Sequence, residues 1–187
     1  VQPTPASTPN FSFYDAIVRG LPRNVEAFAV VTGLPSWMSD SANWIDNNPR
    51  KTFVELFLRK LAARYKKRRR LKGFQVWNEP NMASNPDNTT LGVADSPQNY
   101  VELMRFARGA MRAVVPRRRL ISGATTAIAQ NYPETLEYNE ALRAHGMADL
   151  IDIWAIHYYG THYENLLRPH NVIDFLNGLT VPVWITE

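Results

Sequence analysis

The stretch Phe74-Gln75-Val76-Trp77-Asn78-Glu79-Pro80-Asn81 decides how this sequence is read. Its first half is apolar nearly throughout, as in a strand buried on both faces of a parallel sheet. It then runs straight into Asn-Glu-Pro-Asn. A carboxylate at the last position of a buried strand is costly to place unless it is used. Asn78 offers an amide for recognising hydroxyls, and Pro80 stiffens the exit. A second apolar stretch, Val181-Pro182-Val183-Trp184-Ile185-Thr186-Glu187, ends in the same way. Two glutamates at strand ends can divide acid and base work, one protonated and one ionised.

Outward from these stretches, helix and strand signals alternate. Ser12 and Asp15 read as a capping box for a helix carrying Tyr14, Ile17 and Val18, stopped by Gly20. Val25–Val31 reads as a buried strand. Asn48-Pro49 opens a helix with Phe53, Phe57, Leu61 and Tyr65 on its inner face. Phe74–Asn78 is the next strand. Ser96-Pro97 starts a long helix that Pro116 ends, and Leu120–Ala124 is a strand. A helix from Glu134 to His145, a strand Ile151–Tyr158, a short helix Asn171–Leu176 and a strand Val181–Thr186 complete the pattern. Helix-then-strand units with doubly buried strands imply an α/β fold with a parallel sheet. The segments after strands (34–48, 79–95, 125–133 and 159–169) are long, so the functional face is expected there. Alternation counted back from His157 and Glu187 predicts that Trp154 and Trp184 point outward to the helices.

Composition sets the outer bounds. The chain has 187 residues, 45% hydrophobic and 20% charged, with 13 prolines and no cysteine. That suits one domain with a sizeable core and excludes disulfides, thiolate metal sites and a cysteine nucleophile. No apolar run approaches the roughly 20 residues of a membrane span, and no secretory signal pattern is present. Residues 1–10, with three prolines, read as a linker or tail, leaving 11–187 as the domain.

The net charge of +4 conceals an asymmetry. Nine bases and no acid lie between Arg59 and Lys72, and Arg117, Arg118 and Arg119 add three more. Without those twelve, nine of the 21 bases stand against 17 acids. Both runs follow a helix and precede a strand, which assigns them to the face opposite the long loops. They read chiefly as a solvated, helix-end surface. Nucleic acid is disfavoured as a partner, because Tyr65 is the only aromatic interleaved with them.

Trp77-Asn78-Glu79-Pro80-Asn81 resembles the acid/base strand of glycoside hydrolase clan A, the retaining (β/α)8-barrel enzymes, with families 5 and 39 nearest in flavour. His157-Tyr158-Tyr159 resembles the clan's His-x-Tyr at the sixth strand, and Val181–Glu187 its seventh. The likeness spans about residues 11–187 and implies a (β/α)8 TIM-barrel type fold, here about five units corresponding to strands three to seven. It implies a glycosidase acting on an oligo- or polysaccharide, with Glu79 as acid/base and Glu187 as nucleophile. In a retaining enzyme the pair stands about 5–5.5 Å apart. Asn78 would bind the sugar 2-hydroxyl, Tyr159 would orient Glu187, and His157 would line the sugar subsite. No metal or organic cofactor is implied. Trp37 and Trp44, in the loop after the first strand, are candidate platforms for stacking on sugar.

Strands one, two and eight have no counterpart in this sequence, and five strands leave two open edges for association. Glu187, as the last residue, lies beside a terminal carboxylate. The isolated chain is therefore expected to hydrolyse weakly or not at all. A sugar-binding pseudoenzyme and a polyanion-binding protein are the other readings. Asn10-Phe11-Ser12 and Asn88-Thr89-Thr90 fit the glycosylation sequon, a short pattern that recurs by chance.

Overall fold

A computed structural model of the chain describes residues 2–128, 133–159 and 172–187. Its strands are β1 (Ala27–Val31), β2 (Leu71–Val76), β3 (Arg119–Ser122), β4 (Trp154–Ile156) and β5 (Val183–Ile185). β1, β2 and β3 pair in that order, all parallel, and β4 pairs in parallel with β5. The two groups meet at a parallel bridge between Ile121 and Ile153. Side chains reinforce that thin join: Leu120 N–H donates to the Asp152 carboxylate (2.7 Å), and Ala155 N–H to Ser122 Oγ (2.9 Å).

Between the strands run α1 (Ser12–Gly20), α2 (Pro49–Phe53), α3 (Arg59–Tyr65), α4 (Pro86–Leu91), α5 (Pro97–Val114), α6 (Glu134–Ala144), α7 (Met147–Leu150) and α8 (Val172–Asn177). A π turn over Val54–Leu58 joins α2 to α3 without a break. The expected caps form where Asn48 and Ser96 accept from Lys51 N–H and Asn99 N–H, each followed by proline in the first turn. The box expected at Ser12 and Asp15 does not form. Asn10 accepts from Ser12 N–H, and Asp15 is taken instead by Arg64 and the Tyr65 hydroxyl. That pairing, with Arg64 foremost, lowers the Asp15 pKa to about 2. α1 buries none of its residues, so Tyr14 and Ile17 are exposed rather than core.

β2 starts three residues earlier than expected, at Leu71, and stops at Val76. Trp77 ends it by turning to φ 78°, and its fully buried ring packs edge-to-face on Phe53. The main core lies between the sheet and the helices. A smaller cluster of Ile121, Ala124, Ile153 and Ala155, with Phe28 against it, covers the other face of the strands.

Trp154 points to the helices as expected, meeting Phe175 edge-to-face. Trp184 does not. It pairs in register with Ala155 and reaches Phe28 of β1 at 5.8 Å between ring centroids. The succession of strands thus curls until its first and last members touch. The parity count failed because Glu187 lies beyond Ile185, where the ladder and its strict alternation end.

The amino-terminal stretch touches the segment after β1 through Gln2. Gln2 is buried, and its carbonyl accepts from the Trp37 indole at 2.9 Å. Part of the long segment expected at 159–169, and the helix start at Asn171, lie outside the described residues.

Candidate active site

The carboxyl ends of the strands are stitched together by backbone bonds. Trp77 N–H donates to Val31 O (2.8 Å), Glu79 N–H to Ala124 O (2.8 Å), Ile128 N–H to His157 O (3.2 Å) and Tyr158 N–H to Glu187 O (3.0 Å). These bonds carry the register past the last ladder residues. They deliver Glu79, His157 and Glu187 to one place.

Two left-handed residues shape the exit of β2: Trp77 at φ 78° and Glu79 at φ 44°. Each non-glycine residue there costs of order 1–3 kcal/mol, so its surroundings must hold it. Asn88, fully buried, does much of this. Its Oδ1 accepts from the Trp77 indole (2.6 Å), and its Nδ2 donates to the carbonyls of Glu79 (2.8 Å) and Met82 (2.9 Å). Tyr100 braces the strand from below, donating to Val76 O (2.7 Å) and accepting from Gly123 N–H (2.5 Å). Burial pushes its phenol well above the usual range. Gly123 is required by close approach: a Cβ there would sit 2.7 Å from Trp77 O. Asn81 ties the segment after β2 to that after β3, bonding Thr126 through both its backbone and hydroxyl (2.9 Å each).

The His157 imidazole, 1% exposed, lies between the two glutamates. Nδ1 is 3.2 Å from Glu79 Oε1, and Nε2 is 3.4 Å from Glu187 Oε2. Tyr159 Oη donates to the other oxygen of Glu187. That bond raises the Tyr159 pKa to about 12, so the phenol remains a donor at all ordinary pH values. Exposure rises from the buried ring to Glu79 (18%) and Glu187 (54%), so the carboxylates open outward while the ring stays beneath them.

The arrangement imposes a proton parity. A neutral imidazole carries one N–H and one acceptor nitrogen. If both carboxylates were ionised, one would face a lone pair. The set is satisfied when one carboxyl is protonated and donates to the ring while the ring donates to the other. An imidazolium, donating to both, is the alternative.

Among the residues expected at the site, Glu79, His157, Tyr159 and Glu187 come together. Asn78 sits half-buried between the two left-handed residues, and its amide makes no hydrogen bond among the described residues. Trp37 and Trp44 bond within their own region, to Gln2 O (2.9 Å) and Met38 O (2.8 Å), rather than to this group. Asn88 was missed as a framework residue: its only sequence signal was the sequon, and with its amide buried and bonded it offers no acceptor for a glycan in the folded chain. Among the described residues no group of three His, Asp or Glu side chains is arranged to hold a metal ion. No described helix is long and apolar enough to cross a membrane.

A parallel α/β scaffold presenting paired carboxyls at its strand ends is an arrangement in which acid and base roles can be divided, as hydrolytic enzymes require. The family profile described as glycosyl hydrolase catalytic core matches residues 50–187, and the chain belongs to that family. The match includes Glu79, His157, Tyr159 and Glu187 but not Trp37 or Trp44. No curated protein matches the chain.

Proposed function

We propose that the chain carries the catalytic centre of a retaining β-glycosidase of clan A type, on part of a (β/α)8 barrel, acting on an oligo- or polysaccharide. The observation that carries this reading is the placing of Glu79 and Glu187 on opposite nitrogens of one buried imidazole. Glu79, protonated, gives its proton to the glycosidic oxygen as the bond to the anomeric carbon breaks. Glu187, ionised, attacks that carbon and forms a glycosyl ester. Glu79, now a carboxylate, takes a proton from water, which attacks the same carbon and releases Glu187.

Tyr159 orients Glu187 for attack through its hydrogen bond. Asn78 is the donor for the sugar 2-hydroxyl. His157, buried as it is, acts beneath the sugar, assigning the proton to Glu79 and leaving Glu187 ionised. Trp37 and Trp44 remain candidate platforms at the rim.

Glu187→Gly in the longest available form of the protein should abolish hydrolysis of an aryl β-glycoside. Added azide should restore turnover, giving a glycosyl azide of inverted configuration. Full activity without azide overturns the assignment. Proton NMR of the first-formed sugar from the unaltered protein tests retention separately, and an α-anomer from a β-glycoside would refute it.

A further inference from the structure

The two basic runs, 47 residues apart at Arg70 and Arg117, become one surface. Lys66–Arg70 forms the turn leading into β2, and Pro116–Arg118 the turn leading into β3. Since β2 and β3 are neighbours in a parallel sheet, their entry turns lie side by side. Arg118 pins them together, donating to Lys66 O (3.3 Å) and Arg68 O (2.9 Å).

The fold also sorts these cations by partner. Arg59 is paired with Glu55, Arg64 with Asp15, and Lys72 with Glu26. Arg70 donates to Leu21 O. Lys66, Lys67, Arg68, Arg69, Arg117 and Arg119 are all exposed, and none forms an ion pair among the described residues. The paired bases stabilise the fold locally; the unpaired ones gather on the entry turns. A groove of about 360 Å³ lies between the turns, floored by Val114, Val115 and Pro116 and walled by Lys66, Arg69, Arg117 and Arg118. Arg117 and Arg118 also border a second cavity of about 450 Å³, where Lys72 and Arg119 stand with Glu26, Phe28 and Trp184, so the acid and the aromatic rings lie outside the groove itself.

We infer that this groove binds an acidic polysaccharide, one bearing carboxylate or sulfate groups, at a site separate from the carboxyl-end mouth. Unpaired guanidinium and ammonium groups around a shallow channel suit a chain of spaced anions, and guanidinium forks match carboxylate and sulfate geometry. Two competing polyanions fit less well. No aromatic side chain lines the groove for stacking on bases, and Tyr65, within the first run, is buried. Neither does an exposed large apolar side chain stand there to enter a lipid surface. Membership of a glycosyl hydrolase family favours a glycan as the polymer this chain meets. The inference rests on that membership and not on the roles proposed for Glu79 and Glu187.

The test is titration calorimetry of the unaltered chain with polygalacturonate and with heparin, at 50 and 300 mM NaCl. Binding should weaken by at least about tenfold over that range, as expected when several ion contacts are screened. The double variant R69A/R117A should lose about tenfold in affinity at 50 mM, and R69K/R117K should retain most of it. Thermal melting of both variants should match the parent, because neither side chain is buried or paired. Binding that is flat in salt, or unchanged in R69A/R117A, overturns the inference. Tighter binding to single-stranded DNA or phosphatidylserine vesicles than to either glycan overturns the choice of partner. Because binding is read directly, a negative result leaves the azide-rescue test standing, and the reverse holds too.

Discussion

His157 Nε2 lies 3.4 Å from Oε2 of Glu187 while the ring itself is 1% exposed. The opposite nitrogen meets Glu79, so a residue with almost no access to sugar touches both carboxyls. We expect His157→Phe to lower kcat by about 10²-fold, the scale for losing one preorganised polar group, with KM nearly unchanged. Steady-state kinetics on an aryl β-glycoside checks this; a rise in KM alone would show that His157 serves binding instead.

Glu79→Ala separates the two chemical steps. A good leaving group departs without a proton, so an activated aryl glycoside should form the glycosyl ester nearly as fast as before. A simple alkyl glycoside should lose far more. Burst kinetics with a graded series of leaving groups reads the difference, and equal losses across the series would dismiss Glu79 as the acid.

Tyr159 supplies a pH signature. Its bond to Glu187 raises the phenol from 10.0 to about 12, favouring the protonated form in the folded chain. The stabilisation is therefore fully present below pH 10 and lost as pH rises through about 12. Ultraviolet titration should show late tyrosinate absorbance near 12, where Tyr65 is also held by burial, and Tyr159→Phe should lower that late amplitude by one tyrosine. An unchanged titration in that variant would assign the late step elsewhere.

Asn88 tests the framework. Asn88→Leu strands the Trp77 indole N–H in a buried place and removes one of the two hydrogen bonds to the Glu79 carbonyl, which keeps that from Met82 N–H. The stranded indole N–H alone costs about 1–3 kcal/mol, and the lost bond to the Glu79 carbonyl adds to it. Urea unfolding should therefore show a loss of at least about 2 kcal/mol, beyond what a surface asparagine would give.

Gly123→Ala places a methyl 2.7 Å from Trp77 O and 2.8 Å from the Tyr100 hydroxyl. Both neighbours are rigid, being a backbone carbonyl and a buried ring, so overpacking should cost about 1–3 kcal/mol. A melting temperature equal to the parent's would show that β3 can shift away freely.

Much of this was legible in the order of residues. Apolar runs marked the strands, and β2, β3 and β4 are covered nearly throughout, but the expectation of double burial failed for the outer strands, where Val30 of β1 and Ile185 of β5 are exposed. Asn48-Pro49 and Ser96-Pro97 marked two helix starts because their caps are local hydrogen bonds. Ser12 with Asp15 was misread as a capping box, since the carboxylate of Asp15 had a stronger partner 49 residues away in Arg64. The facing of Trp184 was misread because the exit of β5 no longer alternates.

The sequence by itself determined the alternation of helix and strand, the two strand-end glutamates and the membership of a glycosyl hydrolase family. These depend on short-range pattern and on residue identity. Only the tertiary structure decided that His157 lies between Glu79 and Glu187, that Asn88 holds the strained exit of β2, and that two distant basic runs form one groove. Asn88 reaches back nine residues from α4, while the other relationships join residues 30 to 78 positions apart through register between neighbouring strands. Register is a property of the packed sheet, and no local stretch of chain contains it.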